Sequence, residues 1–197
     1  MPTSVEVYKL FIASPGGLEA ERTAVQEEVA RFSNLFLDIG IAFDACGWED
    51  VAGGARRPQE MINELVKRCD YMILLLGSRW GSQPANAERF ASGTEEEFHL
   101  AMSCIDQAAY PMTDILVLFK GVPEAQLNDP GPQLRRVLDF KQELEDSKRF
   151  LYKTFDDVEG LRREVWTRLH GWARARRCLQ RILVSDDVAR GSSLRVV

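Results

Sequence analysis

What the sequence lacks narrows the field first. Its 197 residues hold no apolar run near the roughly 20 residues that a membrane-spanning helix needs. The start, MPTSVEVYKL, has no basic stretch followed by an apolar one, so no secretory leader is expected. The four cysteines, Cys46, Cys69, Cys104 and Cys178, form no CxxC pair. The two histidines, His99 and His170, lie far apart, so no metal-binding pattern is present. Scattered thiols of this kind suit a reducing, cytoplasmic setting. There is no GxxxxGK[ST] loop, no GxGxxG fingerprint and no Ser-His-Asp pattern. The chain by itself is therefore neither an ATPase nor a conventional dehydrogenase. A formal net charge of −5 argues against a dedicated nucleic-acid binder, which usually carries a basic face, and direct nucleic-acid binding is not expected.

What is there is an ordinary globular composition, 45% hydrophobic and 28% charged, in a chain long enough for one domain with a sizeable core. Tyr8 to Ala13 reads as a first strand, and Ser14-Pro15-Gly16-Gly17 ends it. Leu18 to Leu37 follows as a helix with Leu18, Val25, Val29, Phe32 and Phe36 on one face. Ile39 to Phe43 reads as a second strand, and a loop with Trp48-Glu49-Asp50 and Arg56-Arg57 leads to Pro58, a helix-start residue. The most apolar run, Tyr71 to Leu76, reads as a third strand buried on both faces. Gly77 to Gly93 is a long loop, and Thr94 opens a helix through Glu95-Glu96-Glu97. Ile115 to Phe119 and Phe150 to Phe155 read as strands four and five, with a helix at 134–144 between them. The last domain helix carries Val158, Leu161, Val165, Leu169 and Trp172. Residues 1–172 form the expected domain, and 173–197 a basic helical extension and tail.

Alternating strands and helices predict an α/β fold with a mostly parallel five-stranded sheet in the flavodoxin-like order 2-1-3-4-5. Ligands of such sheets bind beyond the carboxyl ends of the strands, at the point where strand order reverses. That rule selects two loops here, Ser14 to Gly17 and Gly77 to Thr94.

Recognisable sequence falls on the same loops. The succession IAS-P-x-x-L-x-x-E-R, CDYMILLLGSRWG and SGTEEEFHLA, with QLRRVLDFKQELE and LRREVWTRLHGW behind it, resembles a family of TIR-like domains. In bacteria these often precede STAND or NACHT-type ATPases. Glu97-Phe98-His99-Leu100-Ala101 is similar to the glutamate motif of TIR domains. Gly93-Thr94-x-x-Glu97-x-x-x-Ala101 fits, position for position, the motif of nucleoside deoxyribosyltransferases. In both families the matched glutamate acts on an N-glycosidic bond. The Trp-Cys pair that TIR domains carry just before this helix is missing; Trp80-Gly81 lies much earlier in the loop.

The resemblance implies a domain that hydrolyses NAD, or a related nucleotide, as substrate and needs no cofactor or metal. It further implies self-association, or assembly through neighbouring domains, in prokaryotic antiviral or stress signalling. Glu97 would be the catalytic carboxylate, stabilising positive charge at the ribose C1′. Ser14 and Gly16 would meet a phosphate or ribose, Trp48 and Trp80 would stack on a base or nicotinamide, Arg79 would meet a phosphate, and Thr94 would complete the pocket. Each has a plainer reading. Thr94-x-x-Glu97 has the spacing of a helix capping box. The glycines suit a strand-to-helix turn, the tryptophans suit lids over the core, Arg22 suits a solvated helix arginine near Glu19 and Glu21, and Arg56-Arg57 suit a solvated basic turn. Two other functions stay open: a non-catalytic homotypic interaction module, and a deoxyribosyltransferase-like or nucleotide-sensing domain.

Overall fold

The computed structural model describes residues 4–51, 57–83, 89–148 and 150–192, with side chains described as far as Cys178. Its centre is a five-stranded, all-parallel sheet in the order β2-β1-β3-β4-β5. The strands are β1 (Glu6–Ala13), β2 (Ile41–Cys46), β3 (Tyr71–Leu76), β4 (Asp114–Lys120) and β5 (Lys153–Phe155). The helices are α1 (Glu19–Leu35), α2 (Pro58–Val66), α3 (Gly93–Ile105), a short α4 (Glu124–Asn128), α5 (Pro132–Ser147) and α6 (Val158–Ser192).

The two-residue period of a strand divides the apolar run of β3 between two cores. Tyr71, Ile73 and Leu75 pack with Leu10 and Ile12 of β1 against α1 and α6. Met72, Leu74 and Leu76 pack with Phe11 and Ala13 against α2, α3 and α5. All six β3 side chains are buried, each worth roughly 1.5–3 kcal/mol relative to exposure. Burial on both faces is what a central parallel strand requires.

The element order matches the expectation, and its boundaries shift locally. The first helix ends at Leu35, because Leu37–Ile39 form a separate 3-10 turn that takes Ile39 out of the second strand. β2 therefore starts at Ile41 and runs on to Cys46. β5 holds three residues rather than six, and the loop after β4 contains α4. The last helix continues past Trp172, in line with the helical extension expected there, and Arg176 hydrogen-bonds Tyr71 and Thr113 at the amino end of the sheet.

Candidate functional site

The start of α3 decides how Glu97 is presented. Ser92, fully buried and extended, is the N-cap, and its Oγ accepts a hydrogen bond from the Glu95 N–H at 3.1 Å. The Glu95 carboxylate accepts in turn from the Ala91 N–H at 2.6 Å. The Thr94–Glu97 capping box that the spacing offers does not form; the cap is set two residues earlier, at Ser92, with Glu95 reaching back past it to the Ala91 N–H. Gly93 is thereby the first residue of the helix. Glu97 is left with no capping duty and turns inward on the following turn, 7% exposed.

Inside, Glu97 meets α2. The Gln59 side-chain amide donates to its Oε1 at 3.4 Å. Burial pushes the Glu97 carboxyl up to about 7. The Gln59 hydrogen bond and the Arg22 charge pull it back, and Glu96 and Glu49 push it further up. No ion pair to Glu97 is present among the described residues, whereas Glu96 beside it accepts from Asn63 at 2.7 Å and pairs with Arg57 at 3.4 Å.

Arg22 is the buried cation of this region, 5% exposed. Its Nε and Nη2 donate side by side to Glu49 at 2.9 and 2.5 Å. Its Nη1 donates to the Ile12 carbonyl at 2.8 Å and to the Ser14 hydroxyl at 3.1 Å. The guanidinium is thereby tied to the carboxyl end of β1 and to the turn after β2. Arg22 and Glu49 line a cavity of about 240 Å³ together with Ser14, Gly16, Glu19 and Trp48. A second cavity, about 170 Å³, lies across the Pro15–Gly16 loop and is walled by Gly17, Ser78, Arg79 and Lys120. Gly17 holds φ +93° there, and an added Cβ would press on the Arg79 side chain at 3.4 Å.

The family model described as "Domain of unknown function (DUF4062)" matches residues 9–170. The chain belongs to this family. No curated protein matches it. Among solved structures it is similar to the TIR domains of the activated Roq1 resistosome directly recognizing the pathogen effector XopQ. That likeness has 12% identity over 81% of this chain and 82% of the other, with a TM-score of 0.38, too distant to decide any chemistry.

In this DUF4062 domain the residues singled out from sequence fall into separate places. Ser14, Gly16 and Trp48 share one cavity wall, with Trp48 55% exposed. Gly16 and Arg79 share the neighbouring cavity. Thr94 is buried on α3 near Glu97. Trp80 joins none of these. It is 6% exposed, packs on Phe140 at 5.2 Å between ring centroids, and lines a different cavity with Gln133 and Arg136. His99 stacks on Phe90, and His170 sits among Phe32, Phe36 and Trp166. Arg56 lies outside the described residues.

The sequence reading missed Arg22, Glu49 and Gln59. Arg22 looked like a solvated helix arginine because its partner Glu49 is 27 residues away. Gln59 carried a signal, since it opens α2 four residues before Asn63 on the same helical side as the residues that meet α3. No cluster of His, Cys, Asp and Glu able to hold a metal occurs among the described residues. No helix among them is long and apolar enough to cross a membrane.

Proposed function

We propose that this domain cleaves the N-glycosidic bond of NAD or a related nucleotide, with Glu97 as the catalytic carboxylate. One observation carries the reading. A glutamate freed from capping is buried in the first turns of α3 against Gln59 of α2, and no cation pairs with it among the described residues. A buried, unpaired carboxylate is costly to the fold, and such groups concentrate at functional sites.

The chemistry needs little else. Breaking the C1′–N bond sends its electron pair to the pyridinium nitrogen, so nicotinamide leaves neutral and no strong general acid is required. Positive charge develops at C1′ and the ring oxygen, and ionised Glu97 stabilises it. Water then adds at C1′ and gives up a proton. Gln59 orients the carboxylate, and because Glu97 titrates near 7, activity rises with pH through that region. The Ser14–Gly16–Trp48 cavity takes the ribose and the nicotinamide ring, with Trp48 as a stacking face. Gly16 and Arg79 then meet the phosphates in the adjoining cavity, and Thr94 supports Glu97 from the same helix. Trp80 stays out of this pocket. The resemblance to TIR-like domains that precede STAND-type ATPases supports a cytoplasmic role in prokaryotic antiviral or stress signalling, switched on by self-association or by neighbouring domains.

Nicotinamide release from NAD, followed by chromatography at high protein concentration, tests the reading. Turnover is expected in the parent, lost in Glu97→Gln and largely kept in Thr94→Ala. Turnover untouched by Glu97→Gln removes the site. An assembled protein that neither releases nicotinamide nor binds any nucleotide points instead to a non-catalytic interaction module.

A further inference from the structure

The two cavities that meet at the Pro15–Gly16 loop differ in charge. The one beside Trp48 is walled by Glu19, Glu49 and Arg22, two carboxylates against one cation. The other is walled by Arg79 and Lys120, with no carboxylate among its described lining residues. The chain holds 30 acidic and 25 basic residues, so two cations gathered without an acid stand out. They come from different strands. Lys120 ends β4, and the two-residue period of the strand puts it on the face of Leu116 and Leu118, toward α1. There the buried Glu21 accepts from its Nζ at 2.6 Å. One acceptor leaves the ammonium two further N–H donors, and the Lys120 side chain is 37% exposed. Arg79 follows β3, with its stem beside Gly17. It makes no hydrogen bond or ion pair among the described residues. It lies in the field of Glu19, whose carboxylate is already engaged by the Gly17 N–H at 2.8 Å.

We infer that the Arg79–Lys120 cavity is a diphosphate subsite, and that it makes the domain select nucleotides joined through a diphosphate over free nucleosides. The selection rests on the N-glycosidic reading above; the anion site itself does not. Arg79 offers a planar fork of donors that fits two oxygens of one phosphate, and Lys120 offers a compact charge to the next. The cavity, about 170 Å³, has the volume of roughly six waters. That is short of the roughly 300 Å³ at which whole-ligand pockets begin, so it suits one part of a ligand. Pro15 and Gly16 line both cavities, so a single molecule can lie across that loop with a part in each. The charges then sort its parts. The excess of carboxylate beside Trp48 favours a cationic ring such as nicotinamide in NAD, and the excess of cation beyond the loop favours the phosphates.

The measurement is isothermal titration calorimetry of the full chain with inorganic pyrophosphate, without divalent cations and at low salt. Pyrophosphate is expected to bind the parent and to bind Arg79→Gln and Lys120→Gln about tenfold more weakly each, as when a charge-assisted contact is lost. Arg136→Gln, on the exposed side of α5 and outside this cavity, should bind as the parent does. The assay needs no turnover, so a failure of the catalytic reading and a failure of this one are separate results. Where the protein releases nicotinamide, Arg79→Gln should raise KM for NAD about tenfold and leave KM for nicotinamide riboside, which has no phosphate, unchanged.

Lys120→Gln leaves the buried Glu21 without its cation and can lose stability for that reason alone. Arg79 is exposed and breaks no ion pair when changed, so Arg79→Gln decides by itself. A parent that does not bind pyrophosphate overturns the proposal. So does binding that is equal in the parent and in Arg79→Gln, or that falls as much in Arg136→Gln, since either result describes a general attraction of anions to surface charge.

Discussion

The two ends of the sheet each hold an arginine, buried at the carboxyl end and half-buried at the amino end, and they use it differently. At the amino end Arg176 of α6 donates to the Tyr71 hydroxyl and to Thr113, both at 2.7 Å, pairs with Asp70 at 3.6 Å, and lies 4.5 Å from the Tyr8 ring centroid. Burial raises the Asp70 carboxyl, but the Lys9 N–H and Arg176 pull it back. Asp114 alongside accepts from the Trp172 indole at 2.7 Å and pairs with Arg168 at 3.5 Å. Each carboxylate there has its cation, and the cluster fastens the last helix to the strands. At the carboxyl end Arg22 is committed to Glu49, and Glu97 is left buried with an amide for company. Fully paired charges make a fastening; a buried carboxylate with no cation paired to it among the described residues is a candidate for chemistry.

The largest effect that sharpens this contrast is on turnover. Glu97→Gln keeps the shape and the Gln59 neighbour but removes the charge, and nicotinamide release is expected to fall about 100-fold or more, as when one transition-state stabiliser is lost. Asp70→Asn at the other end should leave it nearly unchanged once folding is matched. Equal losses in both variants would erase the distinction between the two ends.

A second effect is on stability against pH. Burial raises the Glu97 carboxyl to about 7 in the folded chain from its ordinary value near 4.5, so between those values the folded chain binds more protons than the unfolded one. A raised carboxyl of this kind is harmless below about 4.5 and increasingly unfavourable as pH rises to about 7. The penalty above that is on the order of 3 kcal/mol. Urea unfolding of the parent and Glu97→Gln should therefore show the variant gaining relative stability from pH 4.5 to pH 8, as expected where function is bought with stability. A pH-independent difference would mean that Glu97 is not strained by burial.

At the amino end the corresponding test is Arg176→Ala, which leaves Asp70 without its cation and two hydroxyls without a donor. It should cost about 2 kcal/mol in urea unfolding. Nicotinamide release per folded molecule should not change. Loss of activity without loss of stability would put Arg176 in the wrong class.

How much of this was legible in sequence follows from what local pattern encodes. The Tyr71–Leu76 run and the strand–helix alternation gave the sheet order, because burial on two faces writes itself into consecutive residues. Glu97 stood out through its motif and its helix-start setting. Arg22 did not, since a helix arginine three residues from one glutamate and next to another looks solvated until Glu49, far along the chain, arrives beside it. The two tryptophans were indistinguishable as loop residues. Only the packing of α5 buries Trp80 against Phe140 and leaves Trp48 open on a short turn.

The smallest effect bears on where α3 begins, and through that on what Glu97 is for. Two serine/threonine residues compete for the cap, each with a glutamate three positions on: Ser92 with Glu95, and Thr94 with Glu97. The hydrogen bonds from Glu95 N to Ser92 and from Ala91 N to Glu95 choose the first. Ser92→Ala should accordingly cost about 1 kcal/mol in urea unfolding, the usual loss on removing a helix cap. Thr94→Ala should cost less, since only packing is removed. The reverse ranking would return Glu97 to the cap, give its conservation of shape in Glu97→Gln a purely structural meaning, and weaken the case that the carboxyl end of this sheet holds a carboxylate in reserve.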